Sequence, residues 1–115
     1  MPSAPLDNPA EKLGAIVSQL YELAGNSTVP NNQRQSLLLK AHDLRGDLTT
    51  LVALQFTQET NAYTQVMVAL SKTTDVLNQA EANIQNVIDV VNNVGQLAAS
   101  IDALLQEAAK IAAAV

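Results

Sequence analysis

His42 is the only histidine of the chain, and it sits beside Asp43 on a stretch that also bears Glu59. A histidine among carboxylates can move protons, but a hydrolytic triad also needs a nucleophile and an oxyanion site, and a zinc centre needs three or more ligands. With a single His and no Cys neither set can be completed, so His42 reads as a surface or half-buried helical side chain. Asp43 and Asp47 stand at i, i+4 on one helix face, with Arg45 between them and Lys40 a turn earlier. That spacing describes a solvated charge patch better than an acid/base pair. There is no Glu-x-x-His pair of the di-iron bundle type and no glycine-rich phosphate loop. Because no nucleophile, base and electrophile can be assembled, the expectation is a protein that is not an enzyme and requires no metal or cofactor.

Two short motifs have ordinary readings. Arg45-Gly46-Asp47 spells an adhesion tripeptide, but it lies inside an apolar helical repeat rather than on a protruding loop. Asn26-Ser-Thr28 has the form of a glycosylation acceptor and reads as a turn, since no secretory signal precedes it. Gly14, Gly46 and Gly95 each cost a helix about 1 kcal/mol relative to Ala, which suggests sites of close helix approach, although Gly95 could equally serve as a hinge.

These residues must be carried by helices. Hydrophobic residues make up 48% of the 115-residue chain but aromatic ones only 3%, so the core is built from Leu, Val, Ile and Ala. Four Gly and four Pro are too few for the turns of a β-sandwich, and Ala, Leu, Gln and Glu favour helix. The predicted class is all-α, in one domain over 8–115 after an unstructured lead-in at 1–7. Asn8 (or Asp7) as N-cap, Pro9 at the first turn and Glu11 at N3 open a helix over about 9–24. Its apolar residues are Leu13, Ile16, Val17, Leu20 and Leu23, and Gly25 closes it. Gly25 to Pro30 is the strongest loop signal.

From Asn31 onward there is no Pro. One helix of that length would run ~130 Å, so the chain must fold back. Ser71-Lys-Thr-Thr-Asp75 offers hydroxyl and carboxylate caps for a turn, which predicts a second helix over 31–71 and a third over 74–113. The matched arms make an antiparallel hairpin with the short first helix packed on it, a three-helix bundle. Breaks at Gln55–Asn61 or Asn92–Gly95 would instead give a compact bundle of four or five shorter helices. A register shift through Phe56, Tyr63, Val66, Met67 and Leu70 reads as a stutter.

The C-terminal arm carries three apolar rows with a seven-residue repeat. Leu77, Ile84, Val91, Ala98, Leu105 and Ala112 form one, and Ala80, Val87, Val94, Ile101, Ala108 and Val115 a second. These two are read as a coiled-coil seam. A third, Val76, Val90, Leu97, Leu104 and Ile111, flanks the first and is interrupted by Asn83 alone. Three rows imply at least two neighbouring helices. A first helix of ~24 Å covers less than half of a ~60 Å hairpin, leaving apolar surface for an interface. The residues expected there are Leu48, Val52, Phe56, Tyr63, Val66, Leu70, Leu77, Ile84, Val87, Val91 and Val94.

The formal charge of −5 lacks the basic footprint that nucleic-acid binding requires. No apolar run approaches the ~20 residues that span a bilayer, and the first seven residues hold no cation and no apolar h-region. The expected location is the cytoplasm or, for such a chain, export by a specialised secretion system. In size and hairpin layout the chain resembles the small helical substrates of such systems, whose Trp-x-Gly turn is excluded because there is no Trp. Its Ala/Val/Gln/Asn-rich helices are similar in composition to those of granule-coating phasins and of the tail domains of α-helical pore-forming proteins, and they carry no motif diagnostic of either. The leading expectation is a non-enzymatic helical interaction or assembly module, forming homo-oligomers or binding another helical protein. The alternative is an amphipathic lipid-surface or membrane-active protein, with Leu97–Val115 and Val66–Leu70 as inserting segments.

Overall fold

Pro9 has helical backbone angles (φ −64°, ψ −11°), and the Asn8 side chain one residue upstream accepts a hydrogen bond of 2.8 Å from the Ala10 N–H. Together they launch the first helix, α1, over Ala10–Ala24. The computed structural model describes residues 8–54, 56 and 60–114, with backbone only for 111–114. The expected lead-in at 1–7 lies outside the described residues. Helix α2 covers Asn31–Val52, α3 Asn61–Ala82 and α4 Val87–Ala114, with a short 3₁₀ turn at Ile84–Asn86. The described residues are helical with no strand, and the four helices pack as one elongated body of 52 × 23 × 18 Å.

The long hairpin is therefore corrected to four shorter helices. The turn expected at 71–75 does not form: α3 runs through it, and two of its hydroxyls bond backward instead of capping a new helix. Thr73 Oγ1 donates to the Ala69 carbonyl at 2.7 Å and Thr74 Oγ1 to the Leu70 carbonyl at 3.0 Å, both one turn upstream within α3. Such i−4 bonding is the alternative use of a helical Thr. The break falls in the rival segment, between Val52 and Asn61, where Thr60 Oγ1 accepts from the Tyr63 N–H at 3.3 Å to open α3. What reads as a stutter is a change of helix. A second break occurs at Asn83, the lone polar member of the third row. Its backbone is extended (φ −147°, ψ 108°), and its side chain accepts from the Gln85 N–H. Helix α4 runs uninterrupted through the other rival site at 92–95.

Each helix then buries one stripe. The enclosed residues of α3 are Tyr63, Val66, Leu70, Thr73, Leu77 and Ala80; those along the centre of α4 are Val87, Val90, Val94, Leu97, Ile101 and Leu104. Both alternate steps of three and four, the spacing at which side chains of facing helices interlock. The central stripe of α4 combines the second and third rows. The first row, Ile84, Val91, Ala98 and Leu105, is its half-buried flank, not the seam.

Helices α1 and α2 form one tightly packed pair, α3 and α4 another. Helix α1 also touches α3, and α2 touches α4 over a shorter stretch; α1 with α4 and α2 with α3 are diagonals. Arg34 Nε donates to the Ala24 carbonyl at 2.9 Å, bringing a cation to the negative end of α1. Gly25 follows α1 as expected but has φ −81°, so it does not use the left-handed conformation. Asn26 Oδ1 accepts from the backbone N–H and hydroxyl of Thr28 at 3.0 and 2.7 Å, making Asn26–Thr28 a side-chain-stapled turn. Phe56 and Tyr63 are buried with ring centroids 5.6 Å apart at 48°, so the Phe56 ring packs against the first turn of α3 in the core.

Candidate functional site

Residues that could do chemistry remain scattered. His42 is exposed on α2, Glu59 lies outside the described residues, and no group of three or more metal-ligating side chains occurs among the described residues. Arg45-Gly46-Asp47 is continuous helix within α2.

The expected interface residues separate into two sets. Phe56, Tyr63, Val66, Leu70, Leu77, Val87 and Val94 are enclosed in the core of a single copy. They were expected on an uncovered groove; with four helices instead of three, the neighbouring helices cover them. Leu48, Ile84 and Val91 are half-buried, and Val52 is 65% exposed beside Asn8, Glu11 and Lys12 at the start of α1. The apolar surface available to a partner therefore lies on the rims of the bundle, not along its seams.

Helix α4 has two rims. Toward α3 it presents Asn93, Gln96 and Ser100 to an open groove shared with Thr64, Gln65, Val68, Ala69 and Lys72. On the other flank, toward α2, which with α3 is what α4 packs against among the described long helices, lie Ile84 of the 3₁₀ turn and Ile88, Val91, Gly95, Ala98, Asp102 and Leu105 of α4, again at steps of four and three. Ile88 is 48% exposed, whereas Ile84, Val91, Ala98 and Leu105 rest against the core with part of their surface open. A Cβ placed on Gly95 would meet nothing within 4 Å. The close helix approach expected at Gly95 is absent, and so is that at Gly46, where a Cβ also meets nothing. At Gly14 the nearest atom, Leu48 Cδ2, would lie at an ordinary 3.8 Å.

The lower part of this second rim is acidic. The Asp47 carboxyl on α2 titrates above the usual aspartate value because burial disfavours its charge, and the carboxylates of Asp102 on α4 and Asp43 on α2 push it further in the same direction. Asp102 is thus a neighbour of Asp47 across the α2–α4 boundary. Lys40, Asp43 and Asp47 recur at helical spacing on α2. The sequence holds a signal for this edge, since Ile84 and the six α4 residues recur at helical steps; a partly apolar row with Gly and Asp in it is indistinguishable from a flank until the neighbours are placed.

No protein-family model matches the chain, and no curated protein or solved structure matches it either.

Proposed function

We propose that this protein is a non-enzymatic helical interaction module that seats a helical partner along the α2-facing rim of α4. The observation that carries the reading is the half-exposed row Ile84, Ile88, Val91 and Ala98 beside the unobstructed surface at Gly95. Partly buried aliphatic side chains are already ordered by the core, so covering them removes apolar area from water at little further entropic cost. A residue without a side chain lets a helix backbone approach closely.

The lipid-surface alternative receives less support. Its inserting segments keep Val66, Leu70, Leu97, Ile101 and Leu104 buried, so insertion would require the bundle to open. Among the described residues no helix is long and apolar enough to cross a membrane. The other exposed large aliphatics, Leu38, Leu39 and Val52 on α2 and Val68 on α3, are divided between two helices rather than forming one insertion face.

The reading is tested by backbone amide NMR shifts of labelled protein titrated with synthetic amphipathic helical peptides. Perturbation concentrated at Ile88, Val91, Gly95 and Ala98, and lost in Ile88→Glu, is the expected result. Shifts confined to other faces, or none at millimolar peptide, would contradict it.

A further inference from the structure

The open groove shared by α3 and α4 has a volume of about 330 Å³, and Asn93 forms part of its lining. That residue is nine-tenths buried, and its Nδ2 has no hydrogen-bond partner. Its neighbours one turn away on α4, Val90 and Leu97, are enclosed aliphatics, so packing alone gives no reason for an amide between them. A donor withdrawn from water and left unpaired costs stability, and a cost of that kind inside a groove points to an acceptor that arrives from outside. Lys72 of α3 is the one charged residue lining the groove, and it forms no ion pair among the described residues. Helices α3 and α4 pack tightly after a short connection around Asn83 and so run in opposite directions. Lys72 and Asn93 stand a similar number of residues to either side of Asn83, which places the cation and the unpaired amide at the same level of the groove. Val68, largely exposed, and Ala69 line it one turn further along α3.

We propose that the α3–α4 groove binds an aliphatic carboxylate. The head group accepts a hydrogen bond from Asn93 Nδ2 and pairs with the Lys72 ammonium, while the chain lies over Val68 and Ala69 toward Thr64. A small rotation about the soft terminal torsion of Asn93 turns the donor to the head group. From Lys72 to Thr64 is about two turns of α3, roughly 12 Å, which accommodates a chain of about eight carbons. A bare inorganic anion would leave Val68 in water, a neutral hydrocarbon would leave the amide unpaired, and a water molecule would leave the lysine without a counter-charge. Only a ligand with both parts answers all three features, a few polar groups fixing its orientation beside apolar contact area. The groove lies on the other flank of α4 from the rim described above, so this site stands independently of the helical-partner reading.

The experiment titrates octanoate, octanamide and acetate into the full ¹⁵N-labelled chain and reads the side-chain amide resonance of Asn93 together with the backbone amides of Val68, Ala69 and Gln96. Octanoate is expected to shift all four with a dissociation constant of about 0.1–1 mM, about tenfold tighter than octanamide or acetate at low salt. Its advantage over octanamide shrinks as ionic strength rises and disappears in Lys72→Gln. Asn93→Leu is expected to lose octanoate binding about tenfold or more while its urea midpoint rises, so the loss is not one of folding. A short peptide with an acetylated N-terminus and a free C-terminal leucine carboxylate separates two sources of the same head group: tighter binding of octanoate assigns the site to free acids, and tighter binding of the peptide at the same resonances assigns it to a chain terminus. An unshifted Asn93 side-chain amide at about 10 mM octanoate, or equal octanoate binding by the parent, Lys72→Gln and Asn93→Leu, overturns the proposal.

Discussion

Asn8 Nδ2 donates to the carbonyl of Leu51 at 3.0 Å, tying the residue that opens α1 to the last turn of α2. The same amide donates to the Leu54 carbonyl at 2.8 Å, while Oδ1 accepts from the Ala10 N–H. One side chain thus accepts at the start of one helix and donates to carbonyls at and just beyond the end of another. Asn8→Ala removes all three bonds and is expected to destabilise the fold by about 1–3 kcal/mol, read as a lower urea midpoint with an unchanged slope.

Gly46 and Gly95 sit inside helices with open space where a side chain would be. Gly46→Ala and Gly95→Ala are each expected to raise stability by about 0.5–1 kcal/mol, because Ala lowers the entropy of the unfolded chain and clashes with nothing. Thermal unfolding of both single variants checks this; a loss of stability at Gly95 would reveal a neighbour closer than the structure places it.

Asn93 is nine-tenths buried, and its Nδ2 has no hydrogen-bond partner. Burying an unpaired amide donor is costly, and a side chain of similar size without polar atoms avoids that cost. Asn93→Leu is expected to stabilise the fold by about 1 kcal/mol, measured by denaturant unfolding. Thr73, the other buried polar residue, is a contrasting case because its hydroxyl is bonded to Ala69, so Thr73→Val should change stability less.

Asp47 sets a pH dependence whose sign follows from its raised pKa. A carboxyl that holds its proton more tightly folded than unfolded favours the fold fully below the unfolded value, near 3.8, and loses that contribution as pH rises through the folded value. Asp47→Asn is therefore expected to be more stable than the parent at pH 7, with the difference shrinking as the pH is lowered toward 4 and as salt is added. Equal stability at neutral pH and low salt would show that neither burial nor the carboxylates of Asp102 and Asp43 disfavour the charge of Asp47.

Local chemistry made part of the architecture legible. The class, the first helix with its Asn8–Pro9 start, and the loop after Gly25 follow from propensity, capping and a turn-rich run that compete with nothing nearby. The polar interruption of the third row by Asn83 was equally visible, yet nothing in its neighbours distinguishes a surface Asn from a helix break.

What the amino-acid order determined by itself is the set of apolar rows and their seven-residue spacing, because side-chain direction along a helix depends only on the backbone's own period. Tertiary packing decided where the chain turns and which rows face inward. Thr73 and Thr74 can either cap a new helix or bond the carbonyl one turn back, two uses of similar local energy; the burial of Leu70, Thr73 and Leu77 in one uninterrupted stripe accompanies the second. Likewise the second and third rows of α4 became its centre, and the first its partly open rim, once α3 and α2 took their places on either side. That choice depends on all the helices at once and is written in none of them separately.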